Sequence, residues 1–182
     1  MSYNYLPLDR KHTNFQQIKN LLAYDQMVSI TFDAHEKILK CREYLDRKMK
    51  ENDSVFYGIN TGFGYLQNVQ IDDNQLSELQ NNLLKSHACG LGDEVPEEIV
   101  KLMIMLKIKS LSYGHSGVQI DTVKRLMDMY NAKMYPVIYT QGSLGASGDL
   151  APLSHLNLPL IGLGDVNLEG KRMTSAAALK KI

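Results

Sequence analysis

The chain has 182 residues, 44% of them hydrophobic and 22% charged, which is enough apolar material for a core and ordinary for a soluble globular domain. Twenty basic residues balance twenty acidic ones, so no long-range field recruits nucleic acid or an anionic membrane. Two cysteines, Cys41 and Cys89, make neither a disulfide framework nor a zinc site. MSYNYLPLDRKH lacks the apolar run of a signal peptide, and Lys107 and Lys109 interrupt the most apolar stretch, Leu102 to Leu111. These features predict a soluble cytoplasmic protein without a metal.

In chain order, Phe15, Ile18, Leu21 and Leu22 at helical spacing predict a short helix over 14–23. Val28, Ile30 and Phe32 alternate with polar neighbours, as in a strand. Asp33 with Glu36 resembles a capping box for a helix running to about Lys50. A glycine-rich loop follows, then a helix from about Asn74 to Ala88 with Leu76, Leu79, Leu83 and Leu84 on one side. Pro96 with Glu97 and Glu98 suits a helix N-terminus for a segment ending near Ser112. A stripe of Ile120, Val123, Leu126, Met127 and Tyr130 marks a helix over 119–133. Leu150 to Leu163 reads as an apolar helix. Residues 166–173 read as a hairpin turning at Glu169-Gly170, and Thr174 or Ser175 caps a final helix that stops after about two turns. Methionines such as Met103, Met105, Met127 and Met129 read as core filler.

Three segments could carry chemistry. The first is Gly142-Ser-Leu-Gly-Ala-Ser-Gly-Asp-Leu-Ala-Pro-Leu-Ser-His155. Taken alone, Ala146-Ser147-Gly148 is a tight turn entering a helix. The second is Tyr57-Gly-Ile-Asn-Thr-Gly-Phe-Gly64, which lacks the lysine and hydroxyl of a phosphate loop and is not G-x-G-x-x-G. The third is Ser86-His87-Ala-Cys89-Gly90, where a histidine can simply cap a helix C-terminus. His87 and Cys89 without a second pair make no metal site. His12 and His35 read as surface residues, His115 as a turn residue, and His155 as a packing residue on the helix after the triad.

Together these motifs resemble the aromatic amino acid ammonia-lyase family, over nearly the whole chain from about residue 25. The resemblance implies that Ala146, Ser147 and Gly148 lose two waters to form the prosthetic group 4-methylidene-imidazol-5-one (MIO), with Asp149 supporting its formation. It implies that Tyr57 is the catalytic base and that Asn60, Gly64 and His87 bind substrate. Ser86-His87 accompanies histidine-specific members, which implies non-oxidative elimination of ammonia from L-histidine to give trans-urocanate. Tyrosine or phenylalanine lyase and aminomutase chemistry remain open alternatives, since some tyrosine lyases carry the same pair. A non-catalytic helical fragment or interaction module is the alternative of another class.

The resemblance also implies a mainly α fold. A small amino-terminal domain leads into the start of a long helical bundle of the ammonia-lyase and fumarase-like type, truncated here. Residues 1–182 would be one incomplete unit whose bundle continues past Ile182, within a cytoplasmic homotetramer. A chain cut there is expected to be inactive and to expose apolar faces of helices 95–112 and 150–163.

Overall fold

The computed structural model describes residues 5–51, 56–61 and 75–182. The chain is mainly α-helical. In chain order, β1 (Tyr5–Leu8), α1 (Phe15–Ala23) and β2 (Met27–Ile30) form a β-α-β unit whose strands pair in parallel, Leu6 opposite Val28. The helix α2 (Phe32–Glu51) comes next, and α3 (Leu76–His87) runs into β3 (Leu91–Glu94). After α4 (Glu97–Leu111) and α5 (Ile120–Asn131) come β4 (Met134–Pro136) and β5 (Tyr139–Gln141). They are followed by α6 (Leu150–Asn157), a 3-10 turn at Leu158–Ile161, β6 (Asp165–Leu168), β7 (Lys171–Thr174) and α7 (Ser175–Ala178).

Local chemistry accounts for the boundaries. Asn14 and Gln17 form a reciprocal capping box at α1, each side chain accepting the other's amide at 2.9 Å. The capping expectation at Asp33 is corrected by two residues. α2 already begins at Phe32, and Thr31 Oγ1 accepts the Ala34 amide at 3.2 Å, while Asp33 pairs with Lys37 on the helix surface. The apolar run 150–163 is not one α-helix. The pyrrolidine of Pro159 has no N–H to donate, so the segment tightens into the 3-10 turn after Asn157 and ends at Gly162. The hairpin turns at Glu169 and Gly170, both at positive φ, and Thr174 caps α7, which is only four residues long.

The core lies where α4 crosses α5 and the β-α-β unit. Val100, Ile104, Met105, Ile108 and Leu111 of α4 are buried against Val123, Leu126 and Tyr130 of α5 and against Leu8, Leu21, Val28 and Ile38. Deleting a side chain such as Ile104 from this cluster costs about 2–5 kcal/mol. The expected apolar face of α4 is therefore mostly covered by the chain itself, with only Ile99 and Leu106 outside it. A second cluster, Met129, Met134, Val166, Leu168 and Ala178, holds the β4-β6-β7 sheet to α5 and α7. Asn131 joins the two parts: its side chain accepts the Val28 amide at 2.9 Å and donates to the Val28 carbonyl at 3.0 Å, as a neighbouring strand would.

Among the described residues no helix is long and apolar enough to cross a membrane, and no group of three or more His, Cys, Asp or Glu could hold a metal.

Candidate active site

Three short segments hold the residues that the motifs single out, and α3 joins them. Tyr57 sits in the turn 57–60. The Asn60 side chain closes that turn by accepting the Phe56 amide at 2.7 Å, and Thr61 Oγ1 accepts the Gly58 amide at 3.2 Å. Asn60 and Thr61 are buried, whereas Tyr57 is 61% exposed. The turn is tied to α3 by Gln80, whose Nε2 donates to the carbonyls of Ile59 at 3.0 Å and Gly58 at 3.4 Å. Gly64, the other residue of this motif expected to bind substrate, lies outside the described residues.

His87 ends α3. Its Nδ1 lies 2.7 Å from the Leu83 carbonyl, which can only accept, so Nδ1 donates there. Ser86 Oγ donates to the same carbonyl at 3.1 Å. The helix-capping role expected of such a histidine is thus taken by Nδ1.

The third segment is the loop 142–149 entering α6. Ala146, Ser147 and Gly148 are all exposed, and Gly148 has φ +68 with nothing within 4 Å of where a Cβ would stand. That left-handed conformation is one a glycine adopts without penalty. The Ser147 hydroxyl donates to the Asp149 carboxylate. Asp149 stands at the N-cap of α6 without capping it. Ser143 Oγ instead accepts the Ala151 amide at 3.4 Å, so the carboxylate serves Ser147. Within these residues the triad fits the chemistry of MIO: a glycine in open space, a hydroxyl directed at a carboxylate, and the positive end of a helix dipole beside them.

Strand pairing brings the second and third segments together. β3 and β5 run antiparallel, Leu91 opposite Gln141 and Glu94 opposite Tyr139, with an irregularity between. The end of α3 therefore meets the start of the loop: Cys89 Sγ lies 3.6 Å from the Gly142 carbonyl, and a Cβ on Gly142 would stand 2.8 Å from the Cys89 carbonyl oxygen. The Gly90 amide donates to His155 Nε2 at 2.9 Å. Burial lowers the His155 pKa, and its ring meets Tyr139 edge-on at 5.4 Å. The sequence reading gave His155 a packing role and Gln80 none. Gln80 lies seven residues before His87, two turns along the same helix face, which is the one signal that marks it.

A cleft of about 450 Å³ opens elsewhere, beside Asp25. Asp25 there bridges Lys101 and Lys133, and none of the motif residues lines it.

Comparison with known proteins places this geometry in a family. Residues 13–182 match the model of the aromatic amino acid lyases. The chain is 45% identical over 175 residues to the histidine ammonia-lyase of Deinococcus radiodurans, covering 96% of this chain and 33% of that protein. It is 43% identical over 177 residues to the histidine ammonia-lyase of Staphylococcus aureus, covering 97% and 35%. Among solved structures, histidine ammonia-lyase from Trypanosoma cruzi matches with a TM-score of 0.86 at 30% identity, over 97% of this chain and 34% of that one. The ergothioneine-degrading ergothionase of Treponema denticola matches at 0.92 with 29% identity, over 98% and 35%. The chain spans about a third of the length of these relatives. With the family model matching nearly all of it, the chain belongs to the aromatic amino acid lyases.

Proposed function

We propose that the full-length protein eliminates ammonia from L-histidine to give trans-urocanate, with MIO formed from Ala146-Ser147-Gly148 as its electrophile. The observation that carries this reading is the junction of Ser86-His87 with the loop 142–148 through β3 and β5. In that junction the end of the helix that carries His87 meets the start of the loop that carries the triad.

In forming the group, the Gly148 nitrogen would bond to the Ala146 carbonyl carbon, and that oxygen would leave as water with the amide protons of Gly148 and Ser147. Loss of the Ser147 α-proton and β-hydroxyl as a second water leaves the methylidene. Asp149 supports both steps by holding the Ser147 hydroxyl. The group supplies an electrophile toward the substrate amine, which makes ammonia a better leaving group. His87, protonated at Nδ1, offers Nε2 to the N–H of a substrate imidazole. Tyr57 takes the β-proton at its phenolic oxygen. Asn60 supports Tyr57 by closing the turn, and Gln80 holds that turn on the helix face that also carries His87. Seven residues of helix separate Gln80 from His87 by about 10 Å.

The reading extends to a cytoplasmic homotetramer whose helical bundle lies in the part of the relatives' length beyond this chain. A panel of L-histidine, L-tyrosine, L-phenylalanine and ergothioneine, followed by the absorbance of the unsaturated product, tests the full-length protein. Turnover of histidine above the others is expected, with His87→Phe losing histidine turnover more than phenylalanine turnover. Preference for tyrosine or phenylalanine, or conversion to a β-amino acid, overturns the substrate assignment and leaves the family.

A further inference from the structure

We propose that His155 is a positioning residue, whose Nε2 accepts the Gly90 amide and so fixes the end of α3 against the cyclising loop. The inference rests on the lyase reading and deepens it.

An accounting of the amides that follow α3 leads to this residue. Ala88 donates to Leu84 at 3.1 Å and Cys89 to His87 at 2.9 Å, both local bonds. Gly90 is the first amide beyond the helix with a distant partner, and that partner is His155 Nε2, 65 residues on. His87 lies three residues before this anchor, so a shift at Gly90 moves the ring that reads the substrate. His155 stands on α6, whose N-terminus receives the loop 142–149. A bond from Gly90 to this helix therefore sets the separation of the substrate-reading segment from the electrophile-forming one.

The surroundings fix the ring as an acceptor. Nε2 must be unprotonated to accept an amide, which makes the ring the neutral Nδ1–H tautomer. Burial favours that neutral form. Tyr139, on β5, holds the ring edge-on with planes at 76°, and Tyr139 is itself placed by pairing opposite Glu94 and by Arg172 Nη2 at 3.5 Å from its hydroxyl. On the other side the missing side chain of Gly90 makes room: a Cβ there would stand 2.9 Å from Nε2. Nothing in simple helix packing requires an acceptor at this atom. A leucine would fill similar space without one.

The test uses the full-length protein with His155→Gln, which keeps an acceptor near Nε2, and His155→Leu, which does not. Three quantities are read: deuterium exchange at the Gly90 amide, intact mass, and KM against kcat for L-histidine. Expected for His155→Leu is a rise in Gly90 exchange and in KM of about 3- to 10-fold, the range for one lost neutral hydrogen bond. Intact mass should still show the loss of two waters, and kcat should fall less than KM rises. His155→Gln should restore both exchange and KM to within about twofold of the parent. Equal effects in the two variants, or a Leu variant with parental Gly90 exchange, overturn the proposal. If His155→Leu does not fold, His155→Asn, whose amide stops one bond short of Gly90, takes its place. Failure of the parent to turn over any aromatic amino acid would defeat the lyase reading alone, because Gly90 exchange still decides the role of His155.

Discussion

Gly90→Ala should destabilise the fold through one collision that can be located atom by atom. The added Cβ would stand 2.9 Å from His155 Nε2, 3.1 Å from His155 Cδ2 and 3.1 Å from Tyr139 Cβ. Gly90 is not at positive φ, so the cost is steric and not conformational. The ring cannot simply retreat, because Tyr139 contributes the third contact and also holds the ring edge-on. Overpacking of this kind costs about 1–3 kcal/mol, and stretching the 2.9 Å hydrogen bond adds up to about 1 kcal/mol. A total near 2–3 kcal/mol corresponds to a fall in Tm of roughly 4–12 °C for a domain of this size. Thermal unfolding followed by circular dichroism measures it. Replacing His155 by Ala in the same chain removes the obstacle, so Gly90→Ala should cost about 1–2 kcal/mol less in that background. Additive effects of the two substitutions, or a Tm within about 2 °C of the parent for Gly90→Ala alone, would refute the argument.

Three further outcomes follow from the other contacts. In the full-length protein, Ser147→Ala removes the only β-hydroxyl of the triad, so intact mass should show no loss of two waters and lyase turnover should disappear. Tyr57→Phe should retain the two-water loss while kcat falls about 10²–10⁴-fold, the usual weight of a general base, and a raised KM at parental kcat would make Tyr57 a binding residue instead. Asp25 has its pKa lowered, first by the hydrogen bond from Lys101 and then by that from Lys133. The folded value lies below the unfolded one, so this stability is present above about pH 4 and is lost as pH falls through the folded pKa. Asp25→Asn should flatten that acid limb. It should also cost about 1–3 kcal/mol at neutral pH, less than for a fully buried pair because the Asp25 side chain is 43% exposed. An unchanged acid limb in chemical denaturation at pH 3 to 6 would assign the loss to other carboxylates.

The helices were legible because their determinants are local. Asn14 and Gln17 cap α1 within four residues, and the stripe on α5 buries the Val123, Leu126 and Tyr130 that its period marks. What the sequence reading missed depends on partners far along the chain. β1 has only four residues, and its strand character comes from lying beside β2 in parallel, with α1 between them. β3 reads LGDE, is exposed at every position and has no alternation. It is a strand because Leu91 and Glu94 meet Gln141 and Tyr139. Thr31 displaces Asp33 as the cap of α2 because the chain leaves β2 already turning, one residue after Ile30. Periodicity also ran α6 through Pro159, where the missing N–H should have ended it.

The site divides along the same line. The residues proposed to do its chemistry, Tyr57, His87 and Ala146 to Asp149, were marked by type and by motif order, since that chemistry would reside in their own atoms. Of the residues that hold them, Gln80 was not marked, Asn60 was marked for substrate, and His155 for packing. All three act through backbone groups, of Ile59, Phe56 and Gly90, and a backbone partner leaves no trace in the sequence. The bonds of Gln80 and Gly90 lie on α3 or just past its end, and their placement gives that helix its role. Gln80 binds the turn of Tyr57 near its middle, His87 projects from its last turn, and Gly90 just past its end is anchored to α6. Because Gln80 and His87 are seven residues apart, they share one face of a rigid rod. The proposed base and substrate-reading ring are thereby set by a single helix, while the loop proposed to cyclise is set against that helix by β5 and His155. A change in the α3–α6 contact would move the electrophile relative to both of the others and leave their mutual spacing intact. Perturbations at Gly90 or His155 should consequently act on all substrates of the panel, whereas those at His87 should discriminate among them.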